Sequence, residues 1–453
     1  MKSPMTRRTF TSAAAFTTMT ALSASRVYGA NSIVRLAFIG CGNRGDQLLD
    51  AFIETADAAP MAFCDLSEEY LKHAEGKISG LISKGKDYRA ILDNKDVDAV
   101  VVATPDHWHA LQTIESLQAG KHVYVEKPLS LCVAEGRAMV DAASKANKIV
   151  QVGFHRRSSN FCKEAVEVIR RGEIGDITMV RCFHMDNEYP LGIGNPNDEK
   201  QPPDPNTFNW DKWVGPAPMR PYNVNRTFYR FRWFWDYSGG QLTNMGAHYL
   251  DMIHWALGVD APLSVSAMGG KFVVKDNREI PDTMQVNYLY PNNTLVSFTQ
   301  VNANAAAGAM EKGCEIEFRG TKGTLYVYGK HYIILPETNM GVALPALNPI
   351  DRTLTAKYRQ SGKAQLVGKK VEGNANTVWH TRNFIASIRD KKQPNCPIDV
   401  GHRSTTAALI GNIALKKKMT LDWDAKNEQF SNNKDANAML KYEYRSPLKF
   451  PTA

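Results

Sequence analysis

Val34-Arg35-Leu36-Ala37-Phe38-Ile39-Gly40-Cys41-Gly42-Asn43-Arg44-Gly45 is the stretch that decides the fold. Six mostly apolar residues make a strand, and a glycine run then leads the chain into a helix. Gly40 permits a tight turn, Gly42 lets a pyrophosphate approach the backbone, and Gly45 lets the helix pack closely on the strand. The helix N-terminus itself favours an anion. Asn43 and Arg44 fall inside this loop and are expected beside the same ligand. Asp65 closes a second strand, Met61–Cys64, 20 residues after Gly45. A carboxylate there accepts hydrogen bonds from an adenosine ribose and repels a 2′-phosphate, so NAD is expected over NADP.

Outward from this stretch, strand-like and helix-like runs alternate. Ala99–Ala103, His122–Val125 and Ile149–Val152 read as further strands, with helices over Ser67–Leu81 and His109–Ala119 between them. Such alternation implies an α/β fold with a doubly wound parallel sheet, a Rossmann domain over 31–153. After Gly153 the rhythm changes. A helix, Asn160–Arg171, leads to a strand, Ile177–Met185, and then to a Pro- and Asn-rich loop, Asn187–Asn225, long enough to cover a site. Leu263–Val274, Asp282–Leu289, Thr294–Val301, Cys314–Arg319 and Gly323–Tyr328 follow as strands, several separated by turn signals such as Pro291-Asn292-Asn293. This meander makes 154–453 an α+β domain with a mostly antiparallel sheet, closed by a late helix, His402–Lys417.

A chain of 453 residues exceeds one ordinary core, which fits two domains. Its composition, 43% hydrophobic and 22% charged, is that of a globular protein. Residues 1–30 read as an export signal of the twin-arginine type. Thr6-Arg7-Arg8-Thr9-Phe10 is followed by a mild apolar stretch and then by Gly29-Ala30. That stretch is too short to span a bilayer, so no stable membrane anchor is expected and the location is periplasmic. Removing Lys2, Arg7, Arg8 and Arg26 takes the formal charge from +9 to +5, with no long basic run, which argues against nucleic acid as a partner. Seven cysteines without a CxxC pair suggest neither a disulfide framework nor a zinc site. They read as buried small apolar residues.

Ligands of open α/β sheets sit beyond the carboxyl ends of the strands. Here those ends carry Thr104-Pro105-Asp106-His107-Trp108-His109 and Glu126-Lys127-Pro128. With Gly40-x-Gly42-x-x-Gly45 they resemble, in order and spacing, the Gfo/Idh/MocA family of glucose–fructose oxidoreductase and inositol 2-dehydrogenase. The resemblance continues through Trp210-Asp-x-Trp213, Arg232-Trp-Phe-Trp-Asp236, Gly246-Ala-His248-x-x-Asp251, Gly401-His402-Arg403-Ser404-Thr405 and Tyr444-Arg445-Ser446-Pro447, as in an exported branch. It implies a substrate domain whose open sheet lines the site and mediates assembly, hence a homodimer or homotetramer. It also implies that Thr104, Pro105, His107, His109, Glu126 and Lys127 join the glycine loop in holding the cofactor.

Gln241–Leu257 reads as a helix with Asn244, His248 and Asp251 at i, i+4 and i+7, on one face. By resemblance, Lys127 polarises the substrate oxygen and His248 exchanges its proton, with Asn244 where many relatives carry Asp. An amide can orient an imidazole but cannot stabilise its cation as a carboxylate does. Donors at His248, Asp251 and His254 do not converge, because i+6 points away from i, so no metal is expected. His155 and Arg156 follow the fifth strand, where the family places substrate contacts, and Tyr189, Trp235 and Asp251 are further substrate candidates. The function expected is NAD-dependent oxidation of a secondary alcohol on a sugar, polyol or glycoside, with the cofactor tightly held. The alternatives are redox-neutral glycoside cleavage by transient oxidation and elimination, and a non-catalytic sugar-sensing NAD binder.

Overall fold

The computed structural model describes residues 33–79, 82–196, 204, 207–306, 313–341, 359–361 and 364–452, so the segment read as an export signal lies outside the described residues. The first unit is a six-stranded sheet in the order β3-β2-β1-β4-β5-β6, with every neighbouring pair parallel. Its strands are β1 (Val34–Ile39), β2 (Ala58–Cys64), β3 (Ser83–Gly85), β4 (Ala99–Val102), β5 (His122–Val125) and β6 (Val150–Val152). β4 is buried along its whole length, as a parallel strand covered by helices on both faces must be. Helices α1 (Asn43–Ile53), α2 (Glu68–Gly76), α3 (Tyr88–Leu92), α4 (His109–Gln118) and α5 (Val133–Ala146) provide the crossovers. The strand order reverses between β1 and β4, which opens a crevice beyond their carboxyl ends. Edge strand β3 was not anticipated, because Ser-Lys-Gly carries no apolar pattern.

The second unit begins with α6 (Asn160–Arg170) and β7 (Ile177–Met185) and continues through α7 (Trp210–Val214) and α8 (Ala247–Leu257). Its sheet adds β8 (Ser264–Gly270), β9 (Thr283–Tyr290), β10 (Thr294–Val301), β11 (Cys314–Gly320), β12 (Gly323–Tyr328) and β13 (His331–Pro336). A separate ribbon pairs β14 (Asn339–Gly341) with β15 (Arg359–Ser361), and β16 (Lys369–Glu372), β17 (Leu421–Asp424) and β18 (Gln429–Phe430) complete the strands. The large sheet has the order β16-β13-β12-β11-β7-β10-β9-β8-β17-β18, and β7–β10 is its parallel pair. Along β9, Met284, Val286, Tyr288 and Tyr290 are buried while the residues between them are not, so one face packs inward. β8 stops at Gly270, short of the expected Val274. The Asp282 carboxylate accepts the backbone N–H groups of Phe272, Val273 and Val274 at 2.9–3.0 Å, which takes those donors away from the ladder.

The end of the chain returns to the first unit. Helix α9 (Thr377–Asp390) lays Phe384 and Ile385 into the core that holds Phe52 and Tyr124. Helix α10 (Ile398–Lys417) packs on α8 and on the inner face of the sheet. The last segment is a strap. The Tyr442 and Tyr444 hydroxyls donate to Glu135 Oε1 at 2.8 and 2.5 Å, and Arg445 binds Asp211 and the Gly215 carbonyl at 2.8 and 3.1 Å. All seven cysteines are buried and unpaired.

Candidate active site

The glycine loop has the shape of a cradle. Gly40 adopts φ +91°, and a Cβ there would meet the Ala103 backbone at 2.7 Å. At Gly45 a Cβ would lie 2.0 Å from the Gly40 carbonyl oxygen, so this close approach is open to glycine alone. Gly42 caps α1 without any side-chain acceptor, leaving the first helical N–H groups for an anion. Asn43 opens the helix and accepts Gln47 Nε2 at 2.8 Å. Asp65 accepts Cys41 N at 2.7 Å and Ser67 N at 2.8 Å, which fixes its carboxylate at the edge of the crevice. Burial lifts its pKa above the ordinary carboxylate value, and backbone donors counter part of that rise. Arg44, the cation nearest the loop in sequence, turns away from Asp65 and pairs with Glu126 at 2.8 Å. Uncapped helix, glycine cradle and fixed carboxylate fit a dinucleotide without a 2′-phosphate.

The strand-end residues divide. Thr104 Oγ1 donates to Gln112 Oε1 at 2.7 Å, and Pro105 starts a short 3₁₀ turn. The two ring nitrogens of His109 lie 2.8 Å from the carbonyl oxygens of Thr104 and Pro128, so this residue braces one strand end against the other. His107 departs from its expected place beside the cofactor. It is fully buried among Trp213 and Tyr237, its Nε2 donates to the Trp213 carbonyl at 3.0 Å, and burial pushes its pKa down to about 3. Apolar aromatic neighbours from the second unit outcompete a place in the crevice.

Lys127 and the π turn over Leu242–Gly246 meet at the junction of the two units. Lys127 Nζ donates to Asn244 Oδ1 at 2.8 Å and to the Asn244 carbonyl at 3.2 Å, while Asn244 Nδ2 donates to Gln241 Oε1 at 3.0 Å. Burial, together with the repulsion of Arg232 and Arg44, pushes the Lys127 pKa down to about 8, although Glu126 opposes the shift. His248, at the start of α8, is buried with its ring edge-on to Phe154 and 5.1 Å from that of His155. Neither imidazole hydrogen-bonds another described residue, and Nδ1 of each is buried without a partner. Burial first, then the charge of Lys127, holds His248 well below the usual histidine pKa; burial and Arg44 do the same for His155. The cluster therefore holds a lysine poised near neutrality beside two neutral imidazoles.

A π turn over Leu242–Gly246 interrupts the α-helix expected to carry Asn244, His248 and Asp251, and Asn244 within it bonds Lys127. Asp251 also departs from a substrate role. It is 1% exposed, binds Arg157 Nε through both oxygens at 2.9 Å, and accepts Ser404 Oγ at 2.8 Å. Arg156 pairs with Glu315 at 2.8 Å and keeps a buried Nη1 without a partner. Tyr189 is 57% exposed on the segment after β7, away from burial of the kind that surrounds Lys127. Trp235 lies under Lys416 Nζ at 4.0 Å and faces a cavity of about 70 Å³, which Lys127, His155 and His248 do not line. Two supports went unanticipated: Gln241, and His380, which binds Ser158 Oγ at 2.7 Å and the Val152 carbonyl at 2.9 Å. Only the tertiary fold brings His380 to a strand end more than 200 residues earlier in the chain.

Comparison with known proteins finds the same two units. A family model described as "Oxidoreductase family, NAD-binding Rossmann fold" matches residues 34–154, and its companion, "Oxidoreductase family, C-terminal alpha/beta domain", matches 189–337 and 360–450. A protein named glycosyl hydrolase family 109 protein, from Shewanella sp. (strain W3-18-1), is 31% identical over 156 residues, which cover 32% of this chain and 33% of that protein. The chain thus spans about a third of the length of the curated relatives it matches. Levoglucosan dehydrogenase, solved with NADH and levoglucosan, superposes with a TM-score of 0.62 at 17% identity, over 86% of this chain and 99% of its own. Scyllo-inositol dehydrogenase from Lactobacillus casei, solved with NAD(H) and scyllo-inositol, gives 0.59 at 20% identity, over 86% and 99%. At such identities the likeness is one of fold.

Proposed function

The chain belongs to the Gfo/Idh/MocA oxidoreductase family, and from that premise we propose that it oxidises, reversibly, a secondary alcohol of a sugar, polyol or glycoside with a tightly held NAD. The observation that carries this reading is the buried meeting of Lys127 with Asn244 and of His248 with His155, at the seam between the NAD-binding unit and the large sheet. NAD, when bound, supplies the hydride acceptor. Lys127, held at its Nζ by Asn244, donates a hydrogen bond to the alcohol oxygen. His248 is neutral and has no hydrogen-bond partner among the described residues, so it is free to take the hydroxyl proton. The Arg157–Asp251–Ser404 network pins α8 and keeps the imidazole in place. Export through a twin-arginine signal, a periplasmic location and assembly as a homodimer or homotetramer form part of the same proposal. The shared third of sequence with glycosyl hydrolase family 109 proteins favours a second reading, glycoside cleavage with no net redox change.

One experiment separates the two. Purified protein without added NAD is incubated with a panel of free sugars and aryl glycosides, and the products are identified by mass spectrometry. A keto-sugar supports oxidation, and free aglycone with unchanged redox state supports cleavage. Neither product, from protein that releases no nicotinamide on denaturation, overturns both.

A further inference from the structure

Tyr70 stands over the glycine cradle. It lies on α2, and its ring edge is 3.1 Å from where a Cβ on Gly42 would be. Burial, and after it the charge of the Asp65 carboxylate, raise its phenol pKa. A ring from the second unit closes on it. Phe228 meets Tyr70 edge-to-face, with centroids 5.8 Å apart and planes at 85°, and Phe208 backs Phe228 at 5.2 Å. Leu66, next to Asp65, packs on the same aromatic cluster of Phe208, Trp210, Trp213 and Phe231. The base of this lobe is anchored where His107 Nε2 and Trp108 Nε1 both donate to the Trp213 carbonyl, at 3.0 and 2.9 Å.

Phe228 is the odd member. It is 40% exposed and adopts φ +47°, a left-handed conformation that costs free energy for a bulky residue. Hydrophobic burial does not explain an aromatic ring held there. Its ring rests instead on Tyr70, which lies against Gly42 on the side of the crevice where the adenosine half of a dinucleotide lies in this fold.

We propose that Tyr70 and Phe228, one from each unit, form a roof over the adenosine end of the cofactor groove that retains the dinucleotide between turnovers. This rests on the NAD-dependent reading above. The cofactor then behaves as a resident group and leaves only when the edge-to-face contact opens. The roof uses described residues of the aromatic lobe. It does not need the whole Asn187–Asn225 loop expected as a cover, of which 197–203 and 205–206 lie outside the described residues.

The test uses the full protein loaded with NADH, and follows release by the fall in nicotinamide fluorescence after dilution into a scavenging dehydrogenase. Phe228→Gly removes the ring and relaxes the backbone. We expect release at least tenfold faster than wild type, with a melting temperature of the apoprotein no lower than that of wild type. Phe228→Tyr should release slowly. Tyr70→Leu tests the other half and should also speed release. Unchanged release in both Phe228→Gly and Tyr70→Leu overturns the roof while leaving the NAD reading intact. Fast release accompanied by a lowered melting temperature in Phe228→Gly also overturns it, because the ring would then serve the fold. Wild-type protein that binds no NADH at millimolar concentration overturns the cofactor reading itself.

Discussion

At the scale of single residues, Lys127 and His248, the two groups to which the proposed function gives the proton chemistry, differ in how they titrate. His248 is already neutral near pH 6.5, whereas Lys127 loses its proton near pH 8. Alcohol oxidation should therefore hold level from about pH 6.5 and fall as pH rises through about 8, where the ammonium that binds the substrate oxygen disappears. Asn244→Asp places a carboxylate on Lys127 Nζ, which favours the cation, so the falling limb should move to higher pH. An unmoved limb in the pH–rate profile would take Lys127 out of the rate-controlling step. Lys127→Ala and His248→Ala should each lower the hydride-transfer rate, read in single turnovers, by roughly 10²–10⁴-fold without emptying the protein of NAD. The candidacy of both residues was legible in the sequence because each sits in a local motif, a strand end and a helix. The partner of Asn244 was not legible, since a π turn leaves no mark in residue spacing.

At the scale of elements, backbone crowding and buried rings set the tolerances. In Gly45→Ala the new methyl would collide with a backbone oxygen that has no room to yield. Overpacking of this kind typically costs about 1–3 kcal/mol or more, so the variant should melt lower and purify with less nicotinamide. His107 supplies a test with a definite sign. Its folded pKa of about 3 lies below the unfolded value of 6.5, so the stability it contributes is complete above pH 6.5 and is lost as pH falls towards 3. The loss runs at up to about 1.4 kcal/mol per pH unit. Gln at position 107 keeps a donor for the Trp213 carbonyl but does not titrate. The deficit of His107→Gln in urea unfolding at pH 7 should therefore shrink at pH 5. The buried parallel strands β1 and β5 could be read residue for residue, because continuous apolar runs suit a sheet covered on both faces. The end of β8 could not, because a single carboxylate, Asp282, decides it through three backbone donors.

At the scale of the molecule, the two units are sewn together by the last part of the chain. Tyr442 and Tyr444 converge on Glu135, whose other oxygen takes the Leu131 and Cys132 N–H groups at 2.9 and 3.2 Å. Tyr444→Phe should cost about 1–3 kcal/mol, read by denaturant unfolding, since it removes the donor at 2.5 Å from a buried carboxyl group. Chain order made the domain pair legible but hid this return path, because nothing local in Tyr444-Arg445-Ser446-Pro447 names a partner three hundred residues away. The strap and α9 also impose a timetable on biosynthesis. The core around Phe52 and Tyr124 lacks Phe384 and Ile385 until translation is nearly over. A nascent chain released early would leave that core open to water, so the first domain cannot serve as a finished platform for the second. Ribosome-stalled chains ending at Gly153 should remain sensitive to protease, and resistance should arrive only once the final helices have cleared the exit tunnel.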